Sequence, residues 1–241
     1  MTEHEQCIGF LRAKNESPIE LDPFRTALII VDMQRYFTQR LFPFTDVFEK
    51  ISPGACSGYL RRVREVVIPS IQRLLAHFRE HGSSIVFTAI GSGAKDGNDL
   101  PCWLRSFDEV GLTTLGSRIW PPIGDASWEI DEALKPRPDE IVLNKVSAGT
   151  FATTDLEQRL RDRGIENVVV TGVATDVCVS TTAREAADRN FKVVVVGDAC
   201  TTLSEHLHQA NLETLHVFGW VRRTEDVIGI AREAPPCLIN I

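Results

Sequence analysis

The stretch Thr26-Ala-Leu-Ile-Ile-Val31 is a run without charged residues that has the length of one β-strand. Such a run, with no alternating polar positions, is typical of a strand buried on both faces, as in parallel sheets. Other short runs rich in Val and Ile follow along the chain, at residues 84–90, 140–143, 167–171 and 192–197. Five similar strands predict one sheet.

Amphipathic segments separate these runs. They lie at residues 57–81, 155–163, 176–190 and 204–218, and their apolar positions recur at helical spacing. Strands that alternate with helices need right-handed crossovers. We therefore predict an α/β fold with three layers (αβα), built on a doubly wound, mainly parallel, six-stranded sheet of the Rossmann-like type, in a single domain over residues 1–241.

Two segments depart from this alternation. Residues 1–24 are polar and predict an N-terminal arm that lies on the surface or on a partner subunit. Residues 91–138 are rich in Gly, Pro, Asp and Trp and are longer than an ordinary connection. Because long loops often carry function, we expect this second segment to cover a site at the edge of the sheet.

Charge and composition exclude several classes of protein. The chain has 26 basic and 33 acidic residues, a net charge of −7, so nothing in its overall charge attracts nucleic acid. Its apolar runs are far shorter than the roughly 20 residues that span a bilayer, and its first twenty residues lack the apolar core of a secretory signal. We expect a cytoplasmic protein that binds neither nucleic acid nor membrane.

Cysteine and histidine spacing indicates neither a disulfide framework nor a metal site. The six cysteines include no CxxC pair, and the His77/His81 and His206/His208 pairs lack the companion ligands of known metal motifs. No complete phosphate-binding glycine motif is present either. The sequence therefore predicts no metal and no cofactor.

Three reactive side chains follow predicted strands. Asp32 ends the first, Lys145 ends the third, and Cys178 opens the helix after the fourth. Each alone has an ordinary reading, as a helix cap, a solvated amine or a core thiol. Together they favour chemistry, because a helix N-terminus and an ammonium both stabilise a thiolate, and a carboxylate can carry its proton to a leaving amine. This arrangement predicts a Cys-Lys-Asp nucleophile.

The stretches ALIIVDMQRYF, LNKVSAGTF and TGVATDVCVSTTAREAADR resemble the three signature blocks of the isochorismatase-like cysteine hydrolase superfamily. The resemblance extends over roughly residues 24–220. It implies that Asp32, Lys145 and Cys178 are the catalytic triad and that Val173–Ala174 is a cis peptide bond. It also implies an oxyanion hole made by the amides of Ala174 and Cys178.

The same resemblance implies a function. Cys178 favours amide cleavage through a thioester over the vinyl ether cleavage of true isochorismatases, which lack the cysteine. The third block looks closest to the biuret, ureidoacrylate and N-carbamoylsarcosine amidohydrolase branch. We therefore expect a cysteine amidohydrolase acting on a small amide, carbamoyl or ureido compound. A nicotinamidase, disfavoured by the missing metal ligands, an isochorismatase-type hydrolase and a catalytically silent binding or scaffold member stay open as alternatives.

The pocket and the assembly are further expectations. A planar amide needs apolar walls, for which Phe37, Trp103 and Trp120 are candidates, and a polar anchor, for which Arg105 or Gln209 is a candidate. Superfamily members commonly form dimers or tetramers, and the apolar tail at residues 235–241 would be awkward on a monomer. A homo-oligomer is therefore expected.

Overall fold

The computed structural model of the protein describes residues 9–10 and 13–232. Six strands form one sheet in the order β3-β2-β1-β4-β5-β6, and every neighbouring pair is parallel. The strands are β1 (Thr26–Val31), β2 (Ser84–Ile90), β3 (Ile141–Lys145), β4 (Asn167–Val173), β5 (Lys192–Thr201) and β6 (Trp220–Arg222). The predicted doubly wound α/β sheet is confirmed. The strand order reverses between β1 and β4, and ligands bind beyond the carboxyl ends of strands at such a point.

Helices cover both faces of the sheet. In chain order they are α1 (Arg35–Thr38), α2 (Pro43–Ile51), α3 (Ser57–Arg62), α4 (Ile68–Glu80), α5 (Cys102–Leu115), α6 (Leu156–Asp162), α7 (Ser180–Asp188), α8 (Glu205–Leu215) and α9 (Thr224–Arg232). Short 3₁₀ turns lie at Pro23–Arg25 and Glu132–Leu134, and π-helical turns at Val63–Val67 and Thr175–Val179.

Strand β1 shows how the apolar runs build two cores. Successive side chains of a strand point to opposite faces. Leu28 and Ile30 accordingly join the core that contains α4 and α9, whereas Ala27, Ile29 and Val31 join the core that contains α6, α7 and α8. A strand buried on both faces must be apolar at every position, which is why the run has no polar alternation.

Several elements differ from the sequence prediction, and two of them have a clear local reason. Strand β6 was missed because its three residues are too few to show a period. The helix predicted over residues 57–81 is interrupted by the π-helical turn at Val63–Val67, which precedes Pro69. Proline has no backbone N–H to give to the usual helical acceptor, so a regular α-helix does not run through this point.

Hydrogen bonds and burial attach both irregular segments to the rest of the chain. Residues 91–138 contain the helix α5, and the buried Asp108 accepts hydrogen bonds from the backbone of Ile119 and Trp120 at 2.8 and 3.0 Å. The described part of the N-terminal arm lies on its own chain, where the Asn15 side chain accepts from the Val221 backbone at 2.7 Å and Leu21 is buried.

Two further sequence expectations concern the apolar C-terminal tail and the absence of a membrane-spanning segment. The apolar tail at residues 235–241 lies outside the described residues, so the assembly expected from it stays a prediction. Within the described part of the chain, no helix combines the length and the apolar character needed to cross a bilayer.

Candidate active site

Asp32, Lys145 and Cys178 meet beyond the carboxyl ends of β1, β3 and β4. The Lys145 Nζ atom lies 2.8 Å from the Asp32 Oδ2 atom and 3.5 Å from the Cys178 Sγ atom. These three side chains are almost wholly shielded from solvent. The structure therefore brings together the three residues that the sequence analysis singled out.

Lys145 is the centre of this cluster. Its ammonium also donates to the Ser147 carbonyl oxygen at 2.8 Å, so its three N–H groups face the Asp32 carboxylate, the Cys178 sulfur and this carbonyl. Burial alone opposes a charged amine, but the nearby Asp32 and Cys178 outweigh it and raise the pKa of Lys145 above its ordinary value. Lys145 therefore stays cationic beside the sulfur.

Asp32 is held by its backbone and by the neighbouring strand. Its φ of 51° lies in the left-handed region, where a residue other than glycine costs roughly 1–2 kcal/mol. Its backbone N–H donates to the carbonyl of Thr88, at 3.2 Å, and the Thr88 hydroxyl donates to Asp32 Oδ1 at 2.6 Å. The sequence analysis missed Thr88, although it is a polar residue inside the apolar run of β2.

We expect Thr88→Val to lower kcat about tenfold with little change in KM, because Asp32 loses the hydroxyl that fixes its carboxylate. Steady-state kinetics measures this effect. Thr171→Val is the matched control, since the buried Thr171 hydroxyl donates to the Ile29 carbonyl at 3.2 Å, away from the triad. Equal kcat values for the two variants would contradict a positioning role for Thr88.

Cys178 lies in the π-helical turn that begins the helix after β4. Burial raises the pKa of the Cys178 thiol to about 12; Lys145 acts in the opposite direction, and the nearby Asp32 carboxylate adds to the rise. The resting site therefore favours the thiol over the thiolate that the nearby ammonium alone would stabilise. The physical reason is desolvation, which outweighs the ammonium. The Asp32 carboxylate, which faces the same Lys145 ammonium, is the nearby group that can take the thiol proton.

Alkylation by iodoacetamide should report this protonated state. The raised pKa means that the thiolate fraction of Cys178 still grows about tenfold per pH unit between about pH 7 and about pH 9. We expect the rate at Cys178 to rise across this range and to stay below that of the exposed Cys102. Peptide mass spectrometry resolves the individual sites. A rate at Cys178 that levels off near neutral pH would contradict the assignment.

The backbone between β4 and Cys178 approaches β1 closely. Gly172 has a φ of 109°, and a Cβ atom there would lie 2.1 Å from the Val31 carbonyl oxygen, so only glycine fits. The Val173–Ala174 peptide bond is cis. The Ala174 carbonyl oxygen accepts from the amides of Val177 and Val179, both at 3.1 Å, which fixes the turn that carries Cys178.

A cavity of about 210 Å³ ends at Cys178 and Ala174. Of the predicted pocket residues, Phe37, Trp103 and Trp120 line it. Arg105 and Gln209 do not: Arg105 contacts the Cys102 sulfur at 3.3 Å, and the exposed Gln209 bonds to Glu205 one helical turn away. The structure therefore does not place Arg105 or Gln209 where it could anchor a substrate in this cavity. Sequence spacing could not tell on which side of α5 or α8 these residues lie.

The cavity wall also contains aromatic residues that sequence analysis missed. Phe44 and Phe48 from α2, Tyr59 from α3 and Phe107 from α5 line it. The centroid of the Phe44 ring lies 4.7 Å from that of Phe37 and 5.2 Å from that of Phe48. The signal was the four-residue spacing of Phe44 and Phe48, which places both on one face of a helix.

Metal-ligating side chains do not cluster at this site. Among residues 9–10 and 13–232, no group of three or more His, Cys, Asp or Glu side chains is arranged to hold a metal ion.

Comparisons with known proteins agree with this geometry. The isochorismatase domain family matches residues 26–226. The ureidoacrylate amidohydrolase RutB of Methylobacterium radiotolerans is 30% identical over 244 aligned residues, which cover 94% of this chain and 88% of that protein. A cysteine hydrolase from Pseudomonas syringae pv. phaseolicola has a TM-score of 0.74 at 25% identity, with 91% of this chain and 100% of that chain covered.

The fold is also that of N-carbamoylsarcosine amidase from Thermoplasma acidophilum, with a TM-score of 0.61 at 24% identity over 83% of this chain and 97% of that chain. The family match covers the whole sheet, including the positions of Asp32, Lys145 and Cys178. The chain belongs to the isochorismatase family.

Proposed function

We propose that the protein is a cysteine amidohydrolase that cleaves a C–N bond of a small amide, carbamoyl or ureido compound through a thioester intermediate. The observation that carries this proposal is the Asp32–Lys145–Cys178 cluster at the end of an enclosed cavity. The similarity to a ureidoacrylate amidohydrolase over most of the chain supports the same reaction class.

The first half of the reaction follows from the resting protonation state. As the Cys178 sulfur attacks the substrate carbonyl carbon, Asp32 takes the thiol proton, and Lys145 stabilises the negative charge that develops on the sulfur. The amides of Ala174 and Cys178 are the proposed donors to the carbonyl oxygen. Asp32 then gives the proton to the leaving nitrogen as the C–N bond breaks, which leaves an acyl group on the sulfur.

The second half releases the acyl group. Water attacks the thioester carbonyl carbon while Asp32 accepts one of its protons, and the C–S bond breaks as that proton returns to the sulfur. Lys145 keeps one charge throughout, so the proton moves between Asp32, the nitrogen and Cys178. Three side chains thus carry out both steps, each from a position that the resting structure already holds.

A panel of primary amides, carbamoyl compounds and ureas, read by ammonia or amine release, tests the reaction. Rapid quenching followed by intact mass spectrometry tests the intermediate, which should add the mass of the acyl group to Cys178. Release of ammonia or amine together with this adduct supports the mechanism. If no compound is cleaved and no adduct forms, the proposal is wrong, and a catalytically silent binding role becomes the better account.

A further inference from the structure

The described side chains that line the cavity beside Cys178 supply no positive charge. Among the described residues that line it, none is Lys, Arg or His. Its polar side chains, apart from Cys178, are those of Tyr59, Asp176 and Thr202 and the indoles of Trp103 and Trp120, and the Trp120 N–H is already donated to the Leu104 carbonyl oxygen at 2.7 Å. A substrate carboxylate would therefore enter without a counter-charge, and burying an unpaired charge is strongly unfavourable.

Two basic residues, Lys145 and Arg62, lie near the cavity, but neither of them lines it. Lys145 directs its three N–H groups to Asp32, Ser147 and Cys178. Arg62 does not line this cavity but lines an adjoining surface cavity. Its guanidinium lies 3.2 Å from the His208 ring and 3.8 Å from the Glu205 carboxylate there, while its buried Nε has no hydrogen-bond partner among the described residues.

Asp176 gives the cavity a negative group instead. Its Oδ1 atom is buried and has no hydrogen-bond partner among the described residues. An unpaired buried acceptor is costly unless a ligand supplies a donor. Asp176 thus suits a substrate N–H and opposes a substrate carboxylate, because like charges brought together at a binding site cost several kcal/mol.

The rest of the wall fits an apolar group. Trp103, Phe107, Leu203 and Leu207 form its rim, and all four are exposed large apolar side chains. Exposed apolar patches of this kind mark binding sites. A cavity of about 150 Å³ lined by apolar side chains holds benzene, so the 210 Å³ here accommodates an aromatic ring with a short substituent.

We propose that the substrate is an uncharged amide or ureido compound bearing an aromatic or branched apolar group, and that Asp176 disfavours substrates that carry a carboxylate. This inference rests on the proposed amidohydrolase function and narrows its substrate class. Ureidoacrylate, the compound named for the relative, carries a carboxylate and would meet Asp176 and an apolar rim here.

Phenylacetamide and its para-carboxyl derivative are the paired probes, and their binding to the Cys178→Ala protein is measured by calorimetry. Binding to this variant does not depend on turnover, so it separates the present inference from the proposed function. We expect phenylacetamide to bind about tenfold more tightly, or better. Equal binding, tighter binding of the acid, or no binding of phenylacetamide at millimolar concentration would overturn the inference. Failure of the wild-type protein to release ammonia from any amide would instead count against the proposed function.

A cation introduced at the rim provides the second arm of the experiment. In the Cys178→Ala background, Leu207→Arg places a cation at the cavity mouth and should shift the ratio of the two affinities about tenfold toward the acid. Leu112→Arg is the matched control, because Leu112 is a similarly exposed leucine on α5 that does not line the cavity. The control should leave the ratio unchanged. An equal shift in both variants would mean that net charge rather than the rim sets the preference, which would also overturn the inference.

Discussion

Cys178→Ala is expected to abolish turnover, with a loss of at least about 10⁴-fold in kcat, while the protein stays folded. The sulfur is both the attacking atom and the site of the acyl intermediate, so no other group replaces it. Removing one buried sulfur costs little packing, and we expect a loss of stability of about 1 kcal/mol. Ammonia release and denaturant unfolding measure the two effects.

Cys200→Ala is the matched control for this variant. Cys200 is also a buried thiol, but it lies in β5 and faces the Val170 carbonyl oxygen at 3.9 Å, outside the triad. The control should lose a similar amount of stability and keep its activity. Retention of more than a small fraction of activity by Cys178→Ala, in a preparation free of the wild-type protein, would rule out the nucleophile.

Asp32→Asn is expected to lower kcat by at least about 10³-fold, because an amide cannot carry the thiol proton to the leaving nitrogen. It should also destabilise the fold by about 3 kcal/mol. The reason is that Lys145 is fully buried and loses the carboxylate that faces it at 2.8 Å, and a buried cation without its partner is strongly unfavourable. Kinetics and denaturant unfolding together measure both losses.

Glu140→Gln separates these two effects. The Glu140 carboxylate pairs with the Arg79 guanidinium at 2.7 Å. Glu140 lies just before β3 begins, at the amino ends of the strands, whereas the triad lies at their carboxyl ends. This control removes a carboxylate from a partly buried ion pair without touching the proton path, so it should lower stability and keep kcat. If Asp32→Asn retained wild-type kcat, the assignment of Asp32 as the proton carrier would be wrong.

Sequence alone predicted the sheet because its signal is local. A strand buried on both faces is apolar at most of its positions, and β1, β2, β4 and β5 each contain a recognisable apolar run of this kind. The short β6 lacked enough residues to carry such a signal, and the end of β5 was missed because the pairing of β4 with β5 shifts register between Val170 and Gly172.

The proximity of the three side chains in the proposed active site was also predictable from the sequence. Parallel strands place their carboxyl ends at one edge of the sheet, so Asp32, Lys145 and Cys178 were expected together even though more than a hundred residues separate the first from the second. Thr88 was open to the same reasoning and was overlooked, because one hydroxyl within an apolar strand looks like ordinary β-propensity.

What the sequence determined by itself is therefore five of the six strands, the edge of the sheet at which they end and the reactive groups at that edge, since these follow from periodicity and from topology. Only the tertiary structure decided that burial raises the pKa of the Cys178 thiol, and that Arg105 and Gln209 lie off the cavity wall while Asp176 lies on it. Desolvation and side-chain direction depend on everything packed around a residue, and most of those neighbours are distant in sequence.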